Sequence, residues 1–115
     1  MTTIEHRKHF RIDSLNLLHY TCIDHNHQDV GQGMGRTLDV SESGIRLETH
    51  TPLETDQVIA VTIGLEDDTV QIKGQVVHSR PNASGRYEAG INFSTVGRTE
   101  LAILKKYIAL FKSQH

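Results

Sequence analysis

A two-residue hydrophobic period recurs along most of this chain, and it restricts the fold more than any other feature of the sequence. Ile45 and Leu47 alternate with Arg46 and Glu48. Ile59, Val61, Ile63 and Leu65 share one face of a segment, as do Val70, Ile72 and Val76, and then Tyr87, Ala89, Ile91 and Phe93. Successive side chains of a strand point to opposite sides, so the pattern describes strands with one buried face. Turn chemistry separates the runs at Thr51-Pro52, Glu66-Asp67-Asp68 and Pro81-Asn82-Ala83-Ser84-Gly85. Upstream, Ile12 to Ile23 reads as a longer, less regular strand, Asp24 to Gly35 as a polar, glycine-rich loop, and Thr37 to Ser41 as a short strand. The sum is about six strands, joined in series as hairpins.

The period changes near the end of the chain. Leu101, Leu104, Ile108 and Phe111 recur at helical spacing with Lys105, Lys106 and Lys112 between them, and Ser94 or Thr95 is positioned to cap the start. This spacing predicts an amphipathic helix of about four turns. Its apolar stripe is expected to cover the core; the alternative is a partner or dimer face presenting Tyr107 and Phe111. The expected fold is all-β with one C-terminal helix, a six-stranded antiparallel β-barrel flanked by an α-helix. It forms one domain, organised as an N-terminal arm over 1–11, a barrel over 12–95 and a helix over 96–115.

Composition narrows the function. The 115 residues include a single cysteine, Cys22, so no internal disulfide and no Cys-x-x-Cys pair is available. No run approaches the roughly 18 apolar residues of a membrane span, and Met1 to Arg11 is polar rather than the apolar core of a signal peptide, which predicts a cytoplasmic protein without membrane insertion. Twelve Lys and Arg against 14 Asp and Glu give a net charge of −2, and aromatics make up 5%, so neither the positive field nor the stacking platform of a DNA or RNA binder is present. His25 and His27, with Asp24 and His19, have metal-binding side chains, but Asn26, Gln28 and Asp29 around them describe a hydrophilic loop, and no metal site is expected. The sequence has no Gly-x-Ser-x-Gly elbow, no Walker phosphate loop and no His-Glu-x-x-His, so no enzyme and no catalytic residue is expected.

Charge is unevenly placed. Residues 5–11 read Glu-His-Arg-Lys-His-Phe-Arg, a basic arm, while Glu66, Asp67 and Asp68 cluster elsewhere. Two small motifs succeed one another along the chain: Arg7-x-x-x-Arg11 before the first strand, and Asp39-x-Ser41-x-x-Gly44 entering a strand. Gly74-x-Val76-Val77 and Tyr87-x-x-Gly90-Ile91-x-Phe93 come later. In this order the motifs resemble the PilZ domain, a bacterial receptor for cyclic di-GMP, over nearly the whole chain.

The resemblance implies that Arg7 and Arg11, with Asp39, Ser41 and Gly44, line a cyclic di-GMP site, and that a flexible arm closes over the ligand; Lys8 and His6, which depart from the family pattern beside the arginines, are candidate secondary contacts. No cofactor besides this ligand is implied. His6 beside the arginine pair leaves one or two nucleotides per site open, and the Asp24 to Gly35 segment is particular to this chain. The residue chemistry agrees. A cyclic dinucleotide offers two phosphates and two guanines, and a guanidinium forks onto a phosphate or onto the O6/N7 edge of guanine. Asp39 has the acceptors for guanine N–H groups, Ser41 a donor for a phosphate oxygen, and Gly44 allows close backbone approach. The expected function is a receptor and adaptor, with no room for an output domain, that acts as a monomer through an unidentified protein effector. The alternative is a module of the same fold that only makes protein contacts.

Overall fold

The computed structural model describes residues 16–65 and 68–114. Its strands are β1 (Leu17–Ile23), β2 (Asp29–Val40), β3 (Gly44–Thr49), β4 (Val58–Leu65), β5 (Asp68–Pro81) and β6 (Tyr87–Phe93), and its helix is α1 (Arg98–Ser113). All neighbours are antiparallel, and the strands close into a barrel in the order β1-β2-β3-β6-β5-β4. The pairs β1–β2, β2–β3, β4–β5 and β5–β6 are the expected hairpins. Closure comes from two pairings between strands distant in sequence, β3 with β6 and β1 with β4. The expected six-stranded barrel with one terminal helix is the observed fold.

Alternation fills the barrel as the sequence predicts. Ile45 and Leu47, Ile59, Val61 and Ile63, Ile72 and Val76, and Ala89 and Ile91 are all buried, with Leu18 and Tyr20 beside them. Burying an aliphatic side chain of this size contributes on the order of 2 kcal/mol.

The Asp24 to Gly35 segment is different from its sequence reading. Only Asp24 to Gln28 turns; strand β2 already begins at Asp29. The turn is closed by the Asp24 carboxylate, which accepts from the N–H groups of Asn26 at 2.8 Å and Gln28 at 3.0 Å. His19 Nε2 meets Gln32 Oε1 at 2.9 Å, and no three His, Cys, Asp or Glu side chains gather as a metal site among the described residues. The glycines of β2 are strand residues that make room. A Cβ on Gly33 would stand 2.7 Å from the Tyr20 hydroxyl, and one on Gly35 would stand 3.2 Å from Leu47 Cδ1. Gly33 and Gly35 thus leave the space that two large core side chains take up, a long-range demand that looks like loop composition in the sequence.

Helix α1 packs against β4 and β5 and buries Ile103, Leu104, Tyr107 and Phe111. Leu101 and Ile108 of the predicted stripe sit at its partly buried margin. Tyr107 and Phe111 are core residues, so the face proposed as a partner surface is turned into the barrel. The cap is Gly97 rather than Ser94 or Thr95. The Glu100 carboxylate of the first turn occupies the space a Gly97 side chain would need, which brings negative charge to the positive end of the helix. No helix of the described residues is long and apolar enough to cross a membrane.

Two polar contacts tie these layers together. The Tyr107 hydroxyl lies 2.7 Å from Thr37 Oγ1, fully buried, and joins α1 to β2. Burial pushes the Tyr107 phenol up to about 12, against the opposing Thr37 hydrogen bond. On the outer surface Glu48 is covered by its partners: Arg36 at 3.1 Å, Arg86 at 3.4 Å, and the Asn82 amide donating at 2.8 Å. Burial raises the Glu48 carboxyl, but hydrogen bonds from Asn82 and Arg36 and the Arg36 charge outweigh it, so the net shift is downward.

Replacing Tyr107 with Phe leaves the Thr37 hydroxyl without this partner, and thermal melting should show a loss of about 1–3 kcal/mol. Glu48→Gln should cost about 1 kcal/mol at pH 7, a modest value because both arginines are half-exposed and screened. The depressed Glu48 pKa stabilises the fold above the ordinary glutamate range and ceases to do so as pH falls below it. The difference between wild type and Glu48→Gln should therefore shrink in melts below about pH 4.

Candidate functional site

Strict alternation would send Asp39 into the barrel behind Gly35 and Thr37, and His78 inward behind Gly74 and Val76. Two β-bulges prevent this. In β2, Thr37 pairs with Leu47 and Asp39 with Arg46, leaving Leu38 as an extra residue. In β5, Val76 pairs with Ile91 and His78 with Gly90, leaving Val77 extra. Each inserted residue reverses the facing of the residues C-terminal to it. Asp39 and His78 therefore emerge on the outer surface, in one lateral row with Arg46 and Gly90: Asp39 on β2, Arg46 on β3, Gly90 on β6, His78 on β5. Four adjacent strands give this row a span of about 14 Å.

The row forms the floor of a cleft of about 270 Å³ lined also by Ser41, Ser43, Gly44, Val77 and Asn92. The turn between β2 and β3 is held by its own polar groups. The Ser41 N–H donates to the Gly44 carbonyl at 2.9 Å, the Ser43 N–H donates to Ser41 Oγ at 3.3 Å, and the two serine hydroxyls are 3.0 Å apart. One Asp39 oxygen accepts the Val40 N–H at 2.9 Å, which orients the carboxylate and leaves its second oxygen to face outward partners. The Phe93 N–H donates to the Ser43 carbonyl at 2.9 Å and fastens the turn to β6.

Gly44 has a structural reason to be glycine besides any contact with a ligand. A Cβ there would strike the Ile91 carbonyl oxygen of the neighbouring strand, a backbone atom with nowhere to go. Gly90 is covered by the tip of the His78 ring, and Gly74 faces the Asn92 carbonyl at 2.5 Å from its missing Cβ. These are close-packing glycines.

Asp39, Ser41 and Gly44 thus meet in one place. Arg7, Arg11, Lys8 and His6 lie outside the described residues. Arg46, His78 and Asn92 join the cleft without having been singled out in the sequence. Arg46 could have been found, because it comes just after the Asp-Ser-Gly motif at an outward position. His78 could not, since its facing depends on the bulge at Val77. Chemically the cleft offers a forked cation, a carboxylate, two hydroxyls, a carboxamide and an imidazole on an open surface, a set suited to binding a polar ligand. A second cleft of about 420 Å³ beside the start of α1 has Lys73 and Glu100 in its lining and none of the motif residues.

The sequence matches the PilZ domain over residues 5–110. Among solved structures, the PilZ domain with c-di-GMP of YcgR from Escherichia coli is similar at a TM-score of 0.60 and 12% identity, over 85% of this chain and 83% of that one. The Bacillus subtilis inhibitor of motility MotI/DgrA gives 0.62 and 16%, over 86% and 49%. The K. pneumonia MrkH–c-di-GMP complex gives 0.60 and 14%, over 86% and 47%. This chain spans about half the length of the MotI and MrkH chains, and at these identities the likeness is one of fold. Comparison with curated proteins finds no match. The family match, which takes in both motifs and runs through β1 to β6 into α1, shows that the chain belongs to the PilZ domain family.

Proposed function

We propose that this chain is a cyclic di-GMP receptor that holds its ligand on the outer face of β2, β3, β6 and β5 through Asp39, Ser41 and Gly44, with Arg7 and Arg11 gripping it from the N-terminal arm. The observation that carries the reading is the convergence of Asp39, Ser41 and Gly44 on one open cleft, beside a forked cation, Arg46. The family match begins at residue 5, ahead of both arginines. The PilZ domain of YcgR with c-di-GMP and the MrkH–c-di-GMP complex share the fold.

The energetics suit a signal rather than a permanent cofactor. Four or five charge-assisted hydrogen bonds of roughly 1.5–3 kcal/mol each give a gross gain on the order of 10 kcal/mol. Ordering an arm on binding costs roughly 2–5 kcal/mol, and base stacking offsets part of it, which leaves a Kd around micromolar. In this reading residues 1–11 change conformation when the ligand binds, and the altered surface is what a protein effector senses. The chain works as a cytoplasmic adaptor, without catalysis, Lys8 and His6 flanking the arginine contacts.

Calorimetry should give a Kd around micromolar for the wild type and no measurable binding for Arg7→Ala or Arg11→Ala, with melting temperatures nearly unchanged. Ser41→Ala should weaken binding by roughly tenfold, the worth of one hydrogen bond to a charged group. Absence of heat at about 100 μM ligand with folded wild type would contradict the receptor reading and favour a protein-contact module.

A further inference from the structure

We propose that His78 is the base-stacking residue of this site, its imidazole forming the plate against which one purine of the ligand lies; the inference rests on the cyclic di-GMP reading above. Three observations support it. The bulge at Val77 turns His78 outward, into the same row as Arg46 and Asp39. The tip of the ring is seated on the sheet: its Nε2, Cε1 and Cδ2 atoms crowd the place where a Gly90 Cβ would stand, so the side chain reaches from β5 over Gly90, whose neighbour in the row is Arg46. Gly90, which faces outward, is buried, and the overlying ring accounts for that.

Among the described residues, the rest of the cleft lining supplies hydrogen-bonding groups and aliphatic surface, and His78 carries its one ring. A purine needs both kinds of contact. Its edges are read by donors and acceptors, here Arg46, Asp39 and Asn92, and its face needs a planar, weakly hydrated surface. Val77, exposed at 44%, extends the apolar surface next to the ring. A side chain on Gly90 would displace the imidazole, so the glycine and the histidine act as a pair: the one leaves the space that the tip of the other occupies.

The test is calorimetry with cyclic di-GMP on the full chain and on His78→Ala, His78→Phe and His78→Gln. His78 is exposed, and unchanged melting temperatures verify that the variants fold. Ala and Gln should weaken binding roughly tenfold or more, whereas Phe, which keeps a ring and loses the polar nitrogens, should bind within about threefold of wild type. In proton spectra the purine H8 signal should move upfield on binding to wild type and to His78→Phe, and not with Ala or Gln. Wild-type affinity in His78→Ala, or rescue by Gln but not by Phe, overturns stacking while leaving the receptor reading intact. Failure of the wild type itself to bind overturns the receptor reading and this inference with it.

Discussion

In a closed barrel each strand side chain faces inward or outward, and a chain that alternates strictly has no means of changing sides. The whole arrangement depends on that constraint and on the two places where it is broken. Eleven core residues of the strands follow the alternation, Leu18, Tyr20, Ile45, Leu47, Ile59, Val61, Ile63, Ile72, Val76, Ala89 and Ile91, and Val40 turns inward only past the Leu38 bulge. The extra residues at Leu38 and Val77 then lift Asp39 and His78 out of the inward series and set them on either side of the Arg46–Gly90 pair. Bulges of this kind interrupt the hydrogen-bond ladder and increase local twist, which a barrel tolerates best where the gain is a re-aimed side chain.

The features legible in the sequence are those that depend on neighbours close along the chain. The faces of β3, β4 and β6 were readable from Ile45 and Leu47, from Ile59, Val61 and Ile63, and from Ala89 and Ile91, because period two is a local property. The helix was readable for the same reason, although the full burial of Tyr107 depends on where the helix meets the barrel. Gly33 and Gly35 misled because their purpose sits on other strands, in Tyr20 and Leu47. Glu48 occupies a position that alternation marks as solvent-facing, yet it is buried under Arg36, Arg86 and Asn82, two of which come from the β5–β6 connection. Asp39, Ser41 and Gly44 were found as a motif, while the reason they can act together, a turn closed by Ser41 and Gly44 and pinned to β6 by Ser43, appears only in three dimensions.

The core and the candidate site are separate in composition but not in connection. The site residues stand on the outer surface and owe little to hydrophobic burial, whereas Gly44 and Gly90 belong to both layers, since each permits a close approach that the site above it uses. Thr37, bonded to Tyr107 of α1, is two residues from Asp39 and next to the bulge. The helix is therefore anchored to the one strand segment that carries the acidic residue of the cleft. That link is a direct mechanical neighbour relation rather than a long pathway, and it places the C-terminal helix within reach of any displacement of β2.

The central claim is that ligand binds on the outer face of β2, β3, β6 and β5, and amide chemical-shift mapping with cyclic di-GMP tests it most directly. The account predicts that saturating ligand moves the signals of residues 39–46, 77–78 and 90–92 together with those of the arm around Arg7 and Arg11, and leaves the inner core signals nearly still. Shifts gathered instead around Lys73, Gly97 and Glu100 at the second cleft, with Asp39, Arg46 and Gly90 unmoved, would contradict it.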